Sequence, residues 1–189
     1  DSKHRFRVAE NLLDRNFEVG SIGKVWVSDI TYIKTSQGWL YLTVIIDLGD
    51  RKVIGWSLSR SLTAQHTSMA AWRMAIINRA IISPLIFHSD RGVQYACDDF
   101  VSLLSKHKTV RQSMSRKGNC WDNAVAESFF KSLKAEWTNW RKYKSIHEAE
   151  MSVFQYIEGW YNVSRRHSAL GYMSPVDYEQ FLMNQKTAA

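Results

Sequence analysis

Three carboxylates in this basic chain have the residue types and settings for metal chemistry. Asp29 stands inside an apolar, β-branched run, VWVSDITYI. Asp90 closes a short apolar run in PLIFHSDRG, and Glu127 lies in NAVAESFFKSLKAE, with Lys131 and Lys134 further along. A charge inside so apolar a strand is costly to bury unless it is paired or metal-bound. Carboxylates held side by side raise each other's pKa, and a divalent cation between them removes that penalty. Oxygen-only ligands with open positions suit Mg²⁺ or Mn²⁺. Two such ions about 3.5–4 Å apart can activate an attacking oxygen and stabilise a leaving oxygen in an in-line phosphoryl transfer.

Each residue also has a plainer reading. Asp90 before Arg91-Gly92 is a common turn pattern. Glu127 can be an acid at a helix start that pairs with Lys131. His88 can be a base near Asp90 or a satisfied structural histidine. Asp29 is the hardest to explain without a function. There is no P-loop, no HExxH and no GxSxG to compete as a site. Taken together, the three carboxylates favour the catalytic reading.

The elements that must position them follow from pattern. KVWVSDITYIK (24–34), WLYLTVIIDLGD (39–50) and VIGWSLS (53–59) read as an antiparallel three-strand meander joined by tight turns. Helical spacing begins after Thr63 and runs to about Ala80. PLIFH (84–88) is a buried strand, Phe100, Leu103 and Leu104 mark a second helix, and TVRQSM (109–114) is a fifth strand. Ala126, Phe129, Phe130, Leu133, Trp137 and Trp140 predict a long amphipathic helix with Asn123 as its N-cap. It keeps Glu127, Lys131 and Lys134 on an edge apart from the core face. A further helix over about His147–Tyr161 and a terminal one from Pro175 complete the chain. The order β-β-β-α-β-α-β-α predicts a mixed five-stranded sheet with helices on both faces, in which the first and fourth strands are neighbours.

Composition narrows the classes. The chain has 189 residues, a net charge of +7 and 45% hydrophobic residues, enough to build a core and too much for a disordered chain. Nine Lys/Arg against three acids fall between Leu103 and Lys142, a basic concentration suited to a polyanion or to a solvated face. Cys97 and Cys120 form no metal or redox motif, which fits two buried or half-buried thiols in a reducing cytosol. No window is long and apolar enough for a membrane span.

VWVSDITYI, HSDRGVQY, RQSMSRKGNCWDNAVAESFFKSLKAE and RRHSALGYMSPVDYE resemble the catalytic half of bacterial insertion-sequence transposases of the two-reading-frame type. That core is similar to retroviral integrase and has the RNase H-like fold. The resemblance spans about residue 20 to the C-terminus. It implies that Asp29, Asp90 and Glu127 are the DDE triad, catalytic and metal-binding, with two Mg²⁺ or Mn²⁺ ions. Thirty-six residues separate Asp90 from Glu127, one more than is usual in the family. The resemblance further implies DNA contacts through Lys131 and Lys134 and a mobile loop at Asn119–Asn123. Arg116, Lys117, Trp121 and Asn123 are added as DNA-binding candidates from this loop. Trp121 could stack on an unpaired base or pack against the helix.

The expected organisation is a connecting or partly helical arm or linker over 1–20, a catalytic core over 21–145 and a helical extension over 146–189. The expected function is DNA end cleavage and strand transfer by a polynucleotidyl transferase. The alternatives are an RNase H-type nuclease that does not join, and an inactive DNA-binding remnant of a mobile element. Expected partners are element-end and target DNA, an upstream helix-turn-helix segment or protein, and further copies of the chain on DNA, with no membrane. The expected location is the cytoplasm, with the nucleoid when DNA is bound.

Overall fold

The computed structural model describes residues 4–187. Residues 1–3 of the predicted arm and 188–189 of the predicted extension lie outside the described residues. The meander forms as β1 (Val25–Thr35), β2 (Gly38–Asp47) and β3 (Val53–Ser59). After it come α1 (Ser68–Asn78), β4 (Leu85–Ser89), α2 (Val93–Ala96), α3 (Asp98–Ser105) and β5 (Val110–Met114). The chain then enters α4 (Ala124–Glu136), α5 (Ile146–Phe154) and α6 (Pro175–Thr187). The sheet order is β3-β2-β1-β4-β5, with β1 antiparallel to β2 and parallel to β4. This is the mixed sheet the sequence predicts.

A core lies on each face. Alternation along β1 sends Val25, Val27 and Ile33 toward α4 and α5, where they meet Phe129, Leu133, Val153 and Tyr156. Trp26 faces the other way, with Trp72, Phe87, Phe100 and Leu104 of α1, β4 and α3. Trp72 is the centre of this second core, its ring 5.5 Å from Trp26 and 5.4 Å from Phe87. Burying each such side chain contributes about 1.5–3 kcal/mol. Close approach of α1 needs Gly55: a Cβ there would stand 2.4 Å from the Ala71 carbonyl.

Three local expectations are corrected. Residues 4–20 contain no helix. They lie against the body without regular structure and turn at 13–15, with Leu13 in the core and the Leu12 N–H donating to Ser113 Oγ at 2.8 Å. The amphipathic helix ends at Glu136 rather than running through Trp140. Trp137 is drawn to α5, its Nε1 donating to the Ser152 carbonyl at 3.1 Å, and Trp140 is 81% exposed. Asn123 makes no side-chain cap on α4. The helix predicted over His147–Tyr161 is α5 continued by a π-helical turn, Gln155–Tyr161.

Candidate active site at the end of the parallel strand pair

The β1–β4 register places the first two carboxylates. Ser28 pairs with Ser89, the last rung of that ladder, so Asp29 and Asp90 are the next residues on adjacent parallel strands. β4 stops there while β1 runs on beside β2. Asp29 has the parity of Val25 and Val27, which turns it to the α4 face. Open α/β sheets bind ligands at this kind of position, beyond the carboxyl ends of parallel strands.

Glu127 arrives on the first turn of α4. The helix start is fixed to β1 by Asn123, whose Nδ2 donates to the Ser28 carbonyl at 3.0 Å, one residue from Asp29. Asp29, Asp90 and Glu127 face one cavity of about 400 Å³, with Arg91, Ser115, Lys117, Asn119 and Cys120 on its walls. A smaller cavity of about 180 Å³ adjoins it and shares Asp29 and Asp90 but not Glu127.

One oxygen of each aspartate is anchored. Asp29 Oδ1 accepts its neighbour Ile30's N–H at 2.8 Å, and Asp90 Oδ1 accepts the Gly92 N–H at 2.9 Å. A Cβ on residue 92 would stand 3.0 Å from that same oxygen, so glycine is what lets the chain turn this tightly around Asp90. Burial pushes the Asp29 carboxyl up to about 7, and the Asp90 and Glu127 charges push the same way against the Ile30 hydrogen bond. Asp90 stands at the solvent-exposed rim. Burial raises its carboxyl too, against the lowering effect of the Gly92 hydrogen bond.

Arg91, Arg116 and Lys117 line the cavity, yet among the described residues no ion pair forms with Asp29, Asp90 or Glu127. Nor do any three His, Cys, Asp or Glu side chains among the described residues close to the spacing of ligands on one ion. The donor set still fits a hard divalent cation: oxygen ligands only, mutually repelling, without a cationic partner, on an open cavity. Asp29 and Asp90 each keep a second carboxylate oxygen free of the backbone.

The other predicted residues divide. Arg116 clamps the buried Asp122, donating from Nη2 at 2.7 Å and from Nε and its backbone N–H at 2.9 Å. Arg15 and Asn11 of the arm donate to the same carboxylate. These hydrogen bonds, from Arg116 above all, hold Asp122 well below the usual carboxylate range. Arg116 and Asn123 therefore help fix the loop, and both also line the cavity. Lys134 Nζ lies over the Tyr32 ring, 5.0 Å from its centroid, rather than free on a rail with Lys131. Lys131 and Lys117 are exposed. Trp121 is 68% exposed, which removes the packing alternative. Cys120 is exposed on the cavity wall, against the expectation of a covered thiol.

His88 shares Asp90's parity but is fully buried beneath it. Its ring nitrogens pair with Ser113 Oγ at 2.8 Å and Ser115 Oγ at 3.2 Å. Burial lowers it to about 4, so it is a neutral structural group. Sequence reasoning left out Arg91 as a wall residue, although HSDRG places it directly after Asp90. Ser115 gave no signal beyond its nearness to the loop.

The Integrase core domain family matches residues 21–120, and a second Integrase core domain description matches residues 108–175. This chain belongs to the integrase core domain family. It is 46% identical over 176 residues to the transposase InsF for insertion sequence IS3A of Escherichia coli K12, covering 93% of this chain and 60% of that protein. A 31 kDa protein of insertion element IS600 from Shigella sonnei is 38% identical over 180 residues, covering 95% and 65%. The chain thus spans about 60% of the length of these curated relatives. Among solved structures, a chain of a simian T-cell lymphotropic virus intasome superposes with a TM-score of 0.69 at 14% identity, covering 94% of this chain and 60% of that one. The HTLV-2 integrase catalytic core in complex with magnesium gives 0.62 at 13% identity, covering 85% and 98%. These likenesses bear out the RNase H-like fold.

Proposed function

We propose that this chain is the catalytic core of an insertion-sequence transposase, cleaving DNA at an element's end and joining the freed 3′-hydroxyl to target DNA. One observation carries the reading: Asp29 and Asp90 directly follow the last rung of the parallel β1–β4 ladder, Glu127 faces the same cavity, and no cationic side chain pairs with them. In this reading residues 21–145 carry the chemistry, framed by the arm over 1–20 and the helices over 146–189. Mg²⁺ or Mn²⁺, two ions per site, would supply charge stabilisation and activation of the attacking oxygen.

The chain's own part is positioning, as in other phosphoryl transfers. Asp29, Asp90 and Glu127 would hold the cations. Asn123 ties the Glu127 helix to β1, and the Asp122 clamp holds the loop over the cavity. Lys117 and Lys131 meet phosphates, and Trp121 offers a face to an unpaired base. Recognition of the element's ends falls to an upstream helix-turn-helix segment or protein, because phosphate contacts position without specifying sequence. Several copies assemble on DNA, in the cytoplasm at the nucleoid. Among the described residues no helix is long and apolar enough to cross a membrane.

The test is a joining assay on a pre-cut element end with Mn²⁺. A joined product supports the reading. Cleavage without joining would make the chain a nuclease, and binding alone would make it an inactive remnant.

A further inference from the structure

α4 separates two cavities. On the face next to the one that carries Glu127, its Ser128 and Ser132 face a cavity of about 500 Å³. The opposite wall brings Arg51 from the β2–β3 turn together with Arg165, Arg166 and His167 from the segment after α5. No acidic side chain lines it.

Arg51 is held in place but not neutralised, whereas Arg165 is already paired with Glu136. Arg51 Nη2 donates to the Phe17 carbonyl at 2.9 Å, while its Nη1 is shut off from water without a partner. Arg51 makes no ion pair among the described residues, and burial pulls its guanidinium down from its ordinary value. It remains charged all the same. Arg165 is oriented by Glu136, at 2.7 Å from Nη2 and 3.0 Å from Nε, and by Ser132 Oγ at 3.0 Å. His167 Nε2 is a second buried atom without a partner, and its ring stands edge-on to Tyr161, centroids 4.9 Å apart. A half-buried guanidinium with no carboxylate partner favours an anion that completes it. Guanidinium forks with hydroxyls beside them match phosphate geometry.

We propose that this cavity is a second phosphate-binding site, which holds a backbone phosphate of the DNA strand engaged by the core. The phosphate chemistry stands on the cavity itself; its assignment to that strand rests on the transposase reading. Ser128 follows Glu127 on the same helix, about 100° further round it, so the two cavities open on adjacent faces of α4.

The test reads binding in EDTA, so that it does not depend on joining. The probes are a labelled single-stranded oligodeoxynucleotide across a salt series, and inorganic phosphate in thermal melts at fixed ionic strength. Ser128 is exposed, so Ser128→Glu and Ser128→Phe should both fold. The first puts a carboxylate among the guanidinium groups, and the second fills the space without charge. Both should weaken oligonucleotide binding about tenfold and lower the log–log salt slope by about 0.7, one phosphate on a single strand. Both should also abolish the rise in melting temperature that phosphate gives the wild-type chain. Loss of the phosphate effect with unchanged DNA binding would assign the site to free phosphate and overturn the strand assignment. An effect of Ser128→Glu alone would reveal a general charge effect, and no effect of either would leave no anion site; both overturn the proposal. A wild-type chain that binds through this cavity and joins nothing defeats the proposed function instead, and leaves this inference standing.

Discussion

Two groups of aspartates stand at opposite ends of the same sheet. At the β2–β3 end, Asp47 and Asp50 are fully buried, and Arg79 bridges them at 2.7 Å and 2.6 Å, with Glu179 of α6 on the same guanidinium. Asp47 also accepts from Trp26 Nε1 and from the Gly23 and Gly49 N–H groups. At the other end Asp29 and Asp90 have one backbone hydrogen bond each and no cation. The first arrangement is what a stable fold does with buried carboxylates, supplying a partner for every charge. The second leaves charge unneutralised in a cavity open to a ligand. The difference teaches that a carboxylate here is informative by its missing partner rather than by its burial, since the most buried aspartates are the structural ones.

The comparison is broken most directly at the open end. Asp29→Asn, Asp90→Asn and Glu127→Gln should each lower joining at least ten-thousandfold, about 5.6 kcal/mol at 1.4 per decade. In EDTA their unfolding free energy should stay level or rise, because each removes a repelling charge. Any of the three that joins at near wild-type rate is not a ligand. At the closed end the expectation reverses. Arg79→Met strands buried carboxylates and should cost about 3 to 5 kcal/mol in denaturant unfolding. A loss below about 1 kcal/mol would show that the two ends are not different in kind.

A third experiment asks whether His88 lends the open end a hidden cation. Its pKa is about 4 folded against 6.5 ordinarily, so the unfolded chain binds the proton first as pH falls. The stability from keeping it neutral is complete above pH about 6.5 and is lost as pH drops toward 4. Between pH 7.5 and 5 that loss is about 2 kcal/mol, and His88→Gln should remove it. His167, also lowered to about 4, adds to the same slope. A slope that His88→Gln leaves intact would mean His88 is charged and serves as a partner for the carboxylates. The smallest effect belongs to Gly92→Ala. A methyl group 3.0 Å from Asp90 Oδ1 displaces the carboxylate slightly. Joining should fall about tenfold with little change in stability, about 1.4 kcal/mol on the barrier; an unchanged rate would show that Asp90's anchoring does not matter.

Much of the open end was legible in the sequence, and little of the closed end. Asp29 stood out because an acid inside VWVSDITYI contradicts its surroundings, and the element order already made β1 and β4 neighbours. Asp47, Asp50, Arg79 and Glu179 gave no such signal: their partners lie far apart in the chain, and pattern carries no information on who meets whom. The end of α4 was misread because Trp137 and Trp140 continue the helical period, while a tertiary hydrogen bond to Ser152 draws Trp137 away. Asn123 has the type of an N-cap, but its amide is held by β1. Lys134 keeps the predicted edge and is taken up by Tyr32, an exposed ring that strand periodicity does not link to a helix.

The anchoring of the two aspartates makes the three-carboxylate site unequal. With one oxygen held by a backbone N–H, Asp29 and Asp90 have already lost their rotamer freedom on folding. Glu127 has no such hydrogen bond among the described residues and a longer side chain to order. Ordering a free side chain of that length takes up to about 1.5–2 kcal/mol of entropy. A ligand entering the cavity therefore meets two preorganised carboxylates at little entropic cost, and recruits the third at a greater one. The site is a rigid pair with an adjustable arm, so small changes in the spacing of charge at the cavity are absorbed by Glu127 rather than by the sheet.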